Sequence, residues 1–160
     1  MTSKDNKLIL NGILVFSILS LSIAYFIQYV LGHKPCNLCL IERIPYIASV
    51  MLISFNFIIN RFEKIISIII LLFFIFATIV SFYHFGIEQG FFSESLVCDL
   101  GNNVNLSKEQ LLKQLKSSSI VSCKNVTFRI LGFSLATINT ITSIILSVIM
   151  IKVVKNYGKN

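Results

Sequence analysis

Four long apolar runs, at about residues 8–31, 41–59, 65–86 and 130–151, constrain this chain more than any other feature. A bilayer core of roughly 30 Å is crossed by about 20 apolar residues as a helix, so each run is long enough to span. Lipid offers no partner to an unpaired backbone group, and each run must therefore close its own hydrogen bonds as a helix. A soluble domain is excluded: of 160 residues, 55% are hydrophobic and only 13% charged, with a mean hydropathy of +0.82. The first run is too long for the apolar core of a secretory signal and lacks a small-x-small cleavage site, so it reads as a retained span. The expected fold class is an all-α membrane protein: one transmembrane domain over residues 1–160, a four-helix transmembrane bundle with two outward-facing loops at about 32–40 and 87–129.

An even number of spans puts both termini on one side of the membrane. That side carries Lys4, Lys7, Arg61, Lys64, Lys152, Lys155 and Lys159 on short flanks, whereas Lys34, Arg43, Lys108, Lys113, Lys116, Lys124 and Arg129 are spread over longer loops. The counts tie, and the density of charge favours cytoplasmic termini. The net charge of +7 comes from residues scattered at span ends. They form no stripe of the kind that tracks a phosphate backbone, so no nucleic-acid partner is expected.

All four cysteines fall in the two loops on the other side: Cys36 and Cys39 in the short one, Cys98 and Cys123 in the long one. Their clustering in loops outside the spans points to chemistry, in a compartment where disulfides persist. A bridge between Cys98 and Cys123 would close much of a loop too small for its own core, which suits a structural staple as well as an exchangeable pair. Cys36 and Cys39 enclose only two residues, so tethering gains little, and the C-x-x-C spacing recurs where thiols are tuned for redox exchange. A closed zinc site from the four thiolates lacks a second C-x-x-C pair, and no metal is expected.

Pro45 is best tolerated in a first helical turn, which predicts that the second span begins near Ile41 to Arg43. Cys39 would then precede a helix N-terminus, whose partial positive charge favours a thiolate. Arg43, a turn further on, reads either as an interfacial anchor or as a fixed charge beside that thiolate. Glu42 is assigned to Arg43 or Lys34, with a proton relay as the weaker reading. The third span ends in "SFYHFGIEQGFF", where His84 reads either as an interfacial polar residue or as a cofactor contact. In the long loop, Ser107 with Gln110 makes a capping box and Leu106 with Leu111 a hydrophobic staple. They predict a short helix with Leu111, Leu112 and Leu115 on one side, laid on the membrane surface or on a partner.

These residues together resemble the DsbB family of bacterial inner-membrane disulfide bond formation proteins. The resemblance covers nearly the whole chain and rests on "PCNLCLIER" opening the second span, "YHFGIE" ending the third, Cys98 and Cys123 in the long loop, and "FRILGFSLATIN" leading into the fourth. The related vitamin K epoxide reductase type keeps its C-x-x-C after the loop cysteines, whereas here it comes first. The resemblance implies a protein-disulfide:quinone oxidoreductase, with Cys36, Cys39, Cys98 and Cys123 as its catalytic cysteines. A reduced thioredoxin-fold partner similar to DsbA would reduce the Cys98/Cys123 disulfide, Cys36/Cys39 would reoxidise it, and Cys39 would pass two electrons to the membrane quinone pool. Arg43 and His84, with Cys39, are the implied quinone contacts, ubiquinone being favoured over menaquinone. The implied setting is a multi-pass protein of the inner membrane with cytoplasmic termini and periplasmic cysteine loops. The competing reading is a non-enzymatic membrane scaffold whose disulfides staple its outer loops.

Overall fold

In the computed structural model, residues 3–59, 62–93, 123, 129–130 and 132–157 are described. The elements are α1 (Ser3–Tyr29), α2 (Asn37–Ile41), α3 (Ile44–Ile59), α4 (Glu63–Glu88), β1 (Arg129–Ile130), β2 (Phe133–Ser134) and α5 (Leu135–Tyr157). Among the described residues, four helical stretches are long and apolar enough to cross a membrane, with α2 and α3 together forming the second. The protein is a multi-pass, all-α membrane protein. The helix expected from Ser107, Gln110, Leu106, Leu111, Leu112 and Leu115 lies outside the described residues, as does Cys98.

The bundle is held by α4 packed along α5, with α3 bridging α4 to α1. Its core runs through Leu10, Ile13, Tyr46, Ile53, Ile70, Phe74 and Met150. In lipid the outward faces need no polar cover, and Ile58, Met51 and Leu72 are accordingly 80%, 68% and 60% exposed. Close helix approach instead depends on small residues: Ser17, Ser49, Ser67, Ala77, Ser81 and Ser143 are fully buried. Several of these hydroxyls satisfy themselves on the preceding turn, Ser49 donating to the Pro45 carbonyl and Ser67 to that of Glu63, each at 2.7 Å. Thr78 and Ser147 join α4 to α5 at 3.3 Å.

Three helix starts differ by four residues or more from those expected of the sequence. Helix α1 starts at Ser3 rather than near residue 8, because hydropathy marks the lipid-embedded length while the helix runs on into polar residues. There Asn6 accepts from Asn156 at 3.0 Å and Lys7 pairs with Glu63 at 3.2 Å. The second span begins at Asn37, earlier than Ile41, and breaks at Glu42 and Arg43 before resuming at Ile44. Pro45 explains the break, since it has no N–H for the Ile41 carbonyl and its ring crowds that carbonyl. The fourth span starts at Leu135 rather than 130, because Gly132, at φ 87°, turns the chain into a short antiparallel β1–β2 pair. Ser134 then caps α5, accepting from the Thr137 N–H at 3.2 Å.

The end of α4 is closed by a Schellman motif. Gly90 has φ 79°, its N–H donates to the Ile87 carbonyl at 3.1 Å, and the Phe91 N–H reaches the Gly86 carbonyl at 2.8 Å. The reversal lays Phe92 on Gly86 and stacks its ring on Tyr83 at 5.5 Å.

Candidate functional site

The C-terminal ends of α1 and α4 and the N-terminal ends of α2, α3 and α5 meet at one end of the bundle. Cys36 stands there as the N-cap of α2, with extended backbone at φ −74° and ψ 169°, and its Sγ accepts from the Cys39 N–H at 3.4 Å. The position of Cys39 corrects the sequence expectation. Because α2 begins at Asn37, well before Pro45, Cys39 lies inside the first turn instead of ahead of it, and Cys36 takes the capping position.

The two thiols are free and 3.0 Å apart, Cys36 buried and Cys39 partly exposed. The Cys36 thiol is pushed below the ordinary thiol range, chiefly by the hydrogen bond from Cys39 and, against the opposing effect of burial, by His84. His84 Nε2 lies 3.6 Å from Cys36 Sγ. Its Nδ1 is 2.9 Å from Glu42 Oε1, and Glu88 Oε1 is 3.8 Å from Nε2. The other Glu42 oxygen accepts from Asn139 Nδ2 at 2.9 Å, and Asn139 Oδ1 accepts from the Tyr46 hydroxyl at 2.6 Å. Ser134, at the head of α5, donates to Glu88. The two caps of α2, with residues of α3, α4 and α5, thus build one polar chain, Cys36–His84–Glu42–Asn139–Tyr46. Such a chain can hold the imidazole in a fixed orientation and move a proton to or from the sulfur.

Arg43 sits at the break between α2 and α3. One guanidinium nitrogen donates to Gln28 Oε1 at 2.6 Å, and the group lies over the Tyr25 ring at 5.1 Å from its centroid. Both partners come from α1, so the kink places a fixed positive charge between α1 and α3. A cavity of about 380 Å³ opens beside it, and its walls include Cys36, Cys39, Arg43, His84, Glu88 and Cys123. The rest of the lining is largely apolar, with Leu21, Ile27, Leu135 and Ile138 among it. An apolar cavity with a few convergent polar groups is the form expected of a small-molecule site. Cys123 is disulfide-bonded, buried, and packed in one cluster with Cys36, Leu38 and Ile87.

The model of the family "Disulfide bond formation protein DsbB" matches residues 6–153. The chain belongs to the DsbB family. A relative, the uncharacterized protein RP370 of Rickettsia prowazekii (strain Madrid E), is 31% identical over 150 residues, covering 92% of this chain and 87% of its own. No solved structure matches the chain. Membership in the DsbB family makes this a membrane protein of disulfide bond formation.

In this DsbB-family chain the structure brings Cys36, Cys39, Arg43, His84 and Cys123 to one cavity. The sequence reading missed Glu88, Asn139, Tyr46 and Gln28, and it assigned Glu42 to Arg43 or Lys34, whereas Glu42 faces His84 and Asn139. Two signals were present in the sequence. Glu88 follows His84 by four residues and so shares its helix face, and Asn139 is a polar residue in an apolar span, which tends to face the bundle interior.

Proposed function

We propose that this protein oxidises a reduced, thioredoxin-fold dithiol protein similar to DsbA and delivers the electrons to a membrane quinone. The observation that carries the reading is the placement of Cys36, Cys39 and Cys123 on one apolar cavity beside Arg43. On this reading the cysteine loops face the periplasm and the termini the cytoplasm.

A partner thiolate attacks Cys98 of a Cys98–Cys123 disulfide and frees Cys123 as thiolate. The partner's second thiolate then attacks its own mixed-disulfide sulfur, so the partner leaves oxidised and Cys98 and Cys123 remain as a dithiol. Cys123, packed beside Cys36, attacks Cys36 of the Cys36–Cys39 disulfide and expels Cys39. Cys98 next attacks Cys123, restoring that disulfide and releasing Cys36. Two electrons and two protons now reside on Cys36 and Cys39.

The residues present fit a quinone: the cavity has apolar walls for a ring and tail, and Arg43 offers donors to a carbonyl oxygen. A quinone bound there supplies the sink for two electrons and two protons. Arg43 and Cys39 would hold it, with His84 in the same wall. His84 also faces Cys36, where Glu42 orients it to take up or return the thiol proton.

The test is optical. Purified protein in detergent, given a reduced DsbA-like dithiol and ubiquinone, should bleach the quinone band catalytically, and Cys39→Ala should abolish this. Normal turnover in Cys39→Ala would defeat the reading. An inert wild-type protein, folded and supplied with quinone, would favour the scaffold.

A further inference from the structure

We infer that Cys36, Cys39 and His84 form a redox-gated site for Zn²⁺, open only when the two cysteines are thiols. Their three donor atoms lie within 4.8 Å of one another, on elements from two different parts of the chain. Zinc–sulfur bonds of about 2.3 Å and zinc–nitrogen bonds of about 2.0–2.1 Å in a tetrahedron set sulfur and nitrogen about 3.5 Å apart, and two sulfurs about 3.8 Å apart. Cys36 Sγ and His84 Nε2 already stand at 3.6 Å. The two sulfurs are at 3.0 Å, so Cys39 must turn to part them by about 0.8 Å and bring its sulfur to about 3.5 Å from the imidazole nitrogen. It has room to do so, since it lines the cavity and is partly exposed.

A second observation points to a metal. A ligating histidine usually gives its other ring nitrogen to a carboxylate, which fixes its orientation. Here Glu42 Oε1 holds Nδ1 at 2.9 Å and Asn139 in turn holds Glu42, leaving Nε2 facing the Cys36 sulfur. All three donors line the cavity, as does Glu88, whose carboxylate lies 3.8 Å from Nε2. Two thiolates and an imidazole suit zinc among the common divalent ions.

Binding changes no oxidation state: Zn²⁺ enters, zinc–sulfur bonds form, and the thiol protons leave to solvent. In the disulfide the same sulfurs are joined to each other and carry no charge, so the site is lost. Binding itself needs only this geometry. Its consequence, that zinc traps the pair reduced and stops turnover, rests on the proposed function.

The experiment uses full-length protein carrying Cys98→Ser and Cys123→Ser, reduced, desalted without oxygen, and titrated with Co²⁺ as a coloured surrogate. We expect a thiolate-to-cobalt charge-transfer band saturating at one ion per chain and abolished by Zn²⁺, and no band after oxidation of the same sample. His84→Ala and the milder Glu42→Gln should each weaken Zn²⁺ binding by about tenfold or more. A band of equal size in oxidised protein, or affinity unchanged in both variants, would overturn the site. Zinc inhibition of quinone reduction, reversed by a chelator, is read on protein with all its cysteines. Failure of metal-free quinone reduction counts against the proposed function and leaves the cobalt result standing.

Discussion

Replacing His84 by asparagine separates the contribution of the imidazole to Cys36 from that of Cys39. The ring nitrogen is 3.6 Å from the sulfur, and the pair is buried. Opposite unit charges at that distance attract by about 4–5 kcal/mol at an effective dielectric of about 20, an upper bound. A hydrogen bond to a charged group contributes about 1.5–3 kcal/mol net, and a neutral one about 1 kcal/mol. Asparagine is shorter and uncharged, so His84→Asn should cost the thiolate about 1–2 kcal/mol, or roughly one pH unit. The sign follows from the depressed thiol: losing a group that favours the thiolate raises its pKa, so less thiolate is present at a given acidic pH. Iodoacetamide alkylation of reduced protein across the acidic to mildly alkaline range, with Cys36 followed by peptide mass, should show a midpoint displaced upward. Destabilising the reduced form also makes the pair less oxidising, by roughly 30 mV per 1.4 kcal/mol. An unmoved alkylation midpoint would refute the argument that His84 acts on Cys36.

Arg43→Ala should raise KM for quinone in the optical assay, with the amount of folded protein little altered; an unchanged KM would return Arg43 to the role of interfacial anchor. In Gly86→Ala a Cβ would drive into the Phe92 ring, so we expect a loss of about 1–3 kcal/mol from overpacking, read by thermal unfolding and restored by Phe92→Leu. An unaltered Tm would show that the Phe92 ring does not rest there. In reduced protein the depressed Cys36 thiol contributes stability that is complete above the unfolded pKa of about 8.5 and declines as pH falls toward its folded value. The Tm advantage of reduced wild type over Cys36→Ser should accordingly be larger at about pH 8.5 than at about pH 5.5; a gap that widens on acidification would contradict the sign.

The spans were legible because lipid admits one solution to backbone hydrogen bonding, and a hydropathy run carries that solution directly. Their ends were less so. Asn6 and Lys7 extend α1 through polar contacts with Asn156 and Glu63, and those partners lie on other helices. The helix start at Pro45 was legible: a proline suits a first turn, and Pro45 is the second residue of α3, but the short helix α2 ahead of it was not foreseen. Missing α2 placed Cys39 ahead of a helix instead of inside the first turn of one. Glu42 shows the same limit, since adjacency suggested Arg43, whereas the turn sends the two side chains apart, one to α4 and α5, the other to α1.

That divergence gives the two thiols different surroundings. Cys36, the buried capping sulfur, has His84 and the Glu42–Asn139 chain behind it and Cys123 beside it. Cys39 is the partly exposed sulfur on the cavity that Arg43 also lines. On the proposed function, exchange with the loop cysteines would fall to Cys36 and electron delivery to Cys39. A two-residue spacing on a helix start suits this division, because the first position caps the helix and the second sits within its first turn. The kink at Pro45 then matters for chemistry as well as for topology: without it Arg43 would continue the helical path of α2 instead of turning to Gln28 and Tyr25. Straightening the break with Pro45→Ala should therefore impair quinone affinity more than alkylation of Cys36, and equal loss of both would mean that the break serves only the fold.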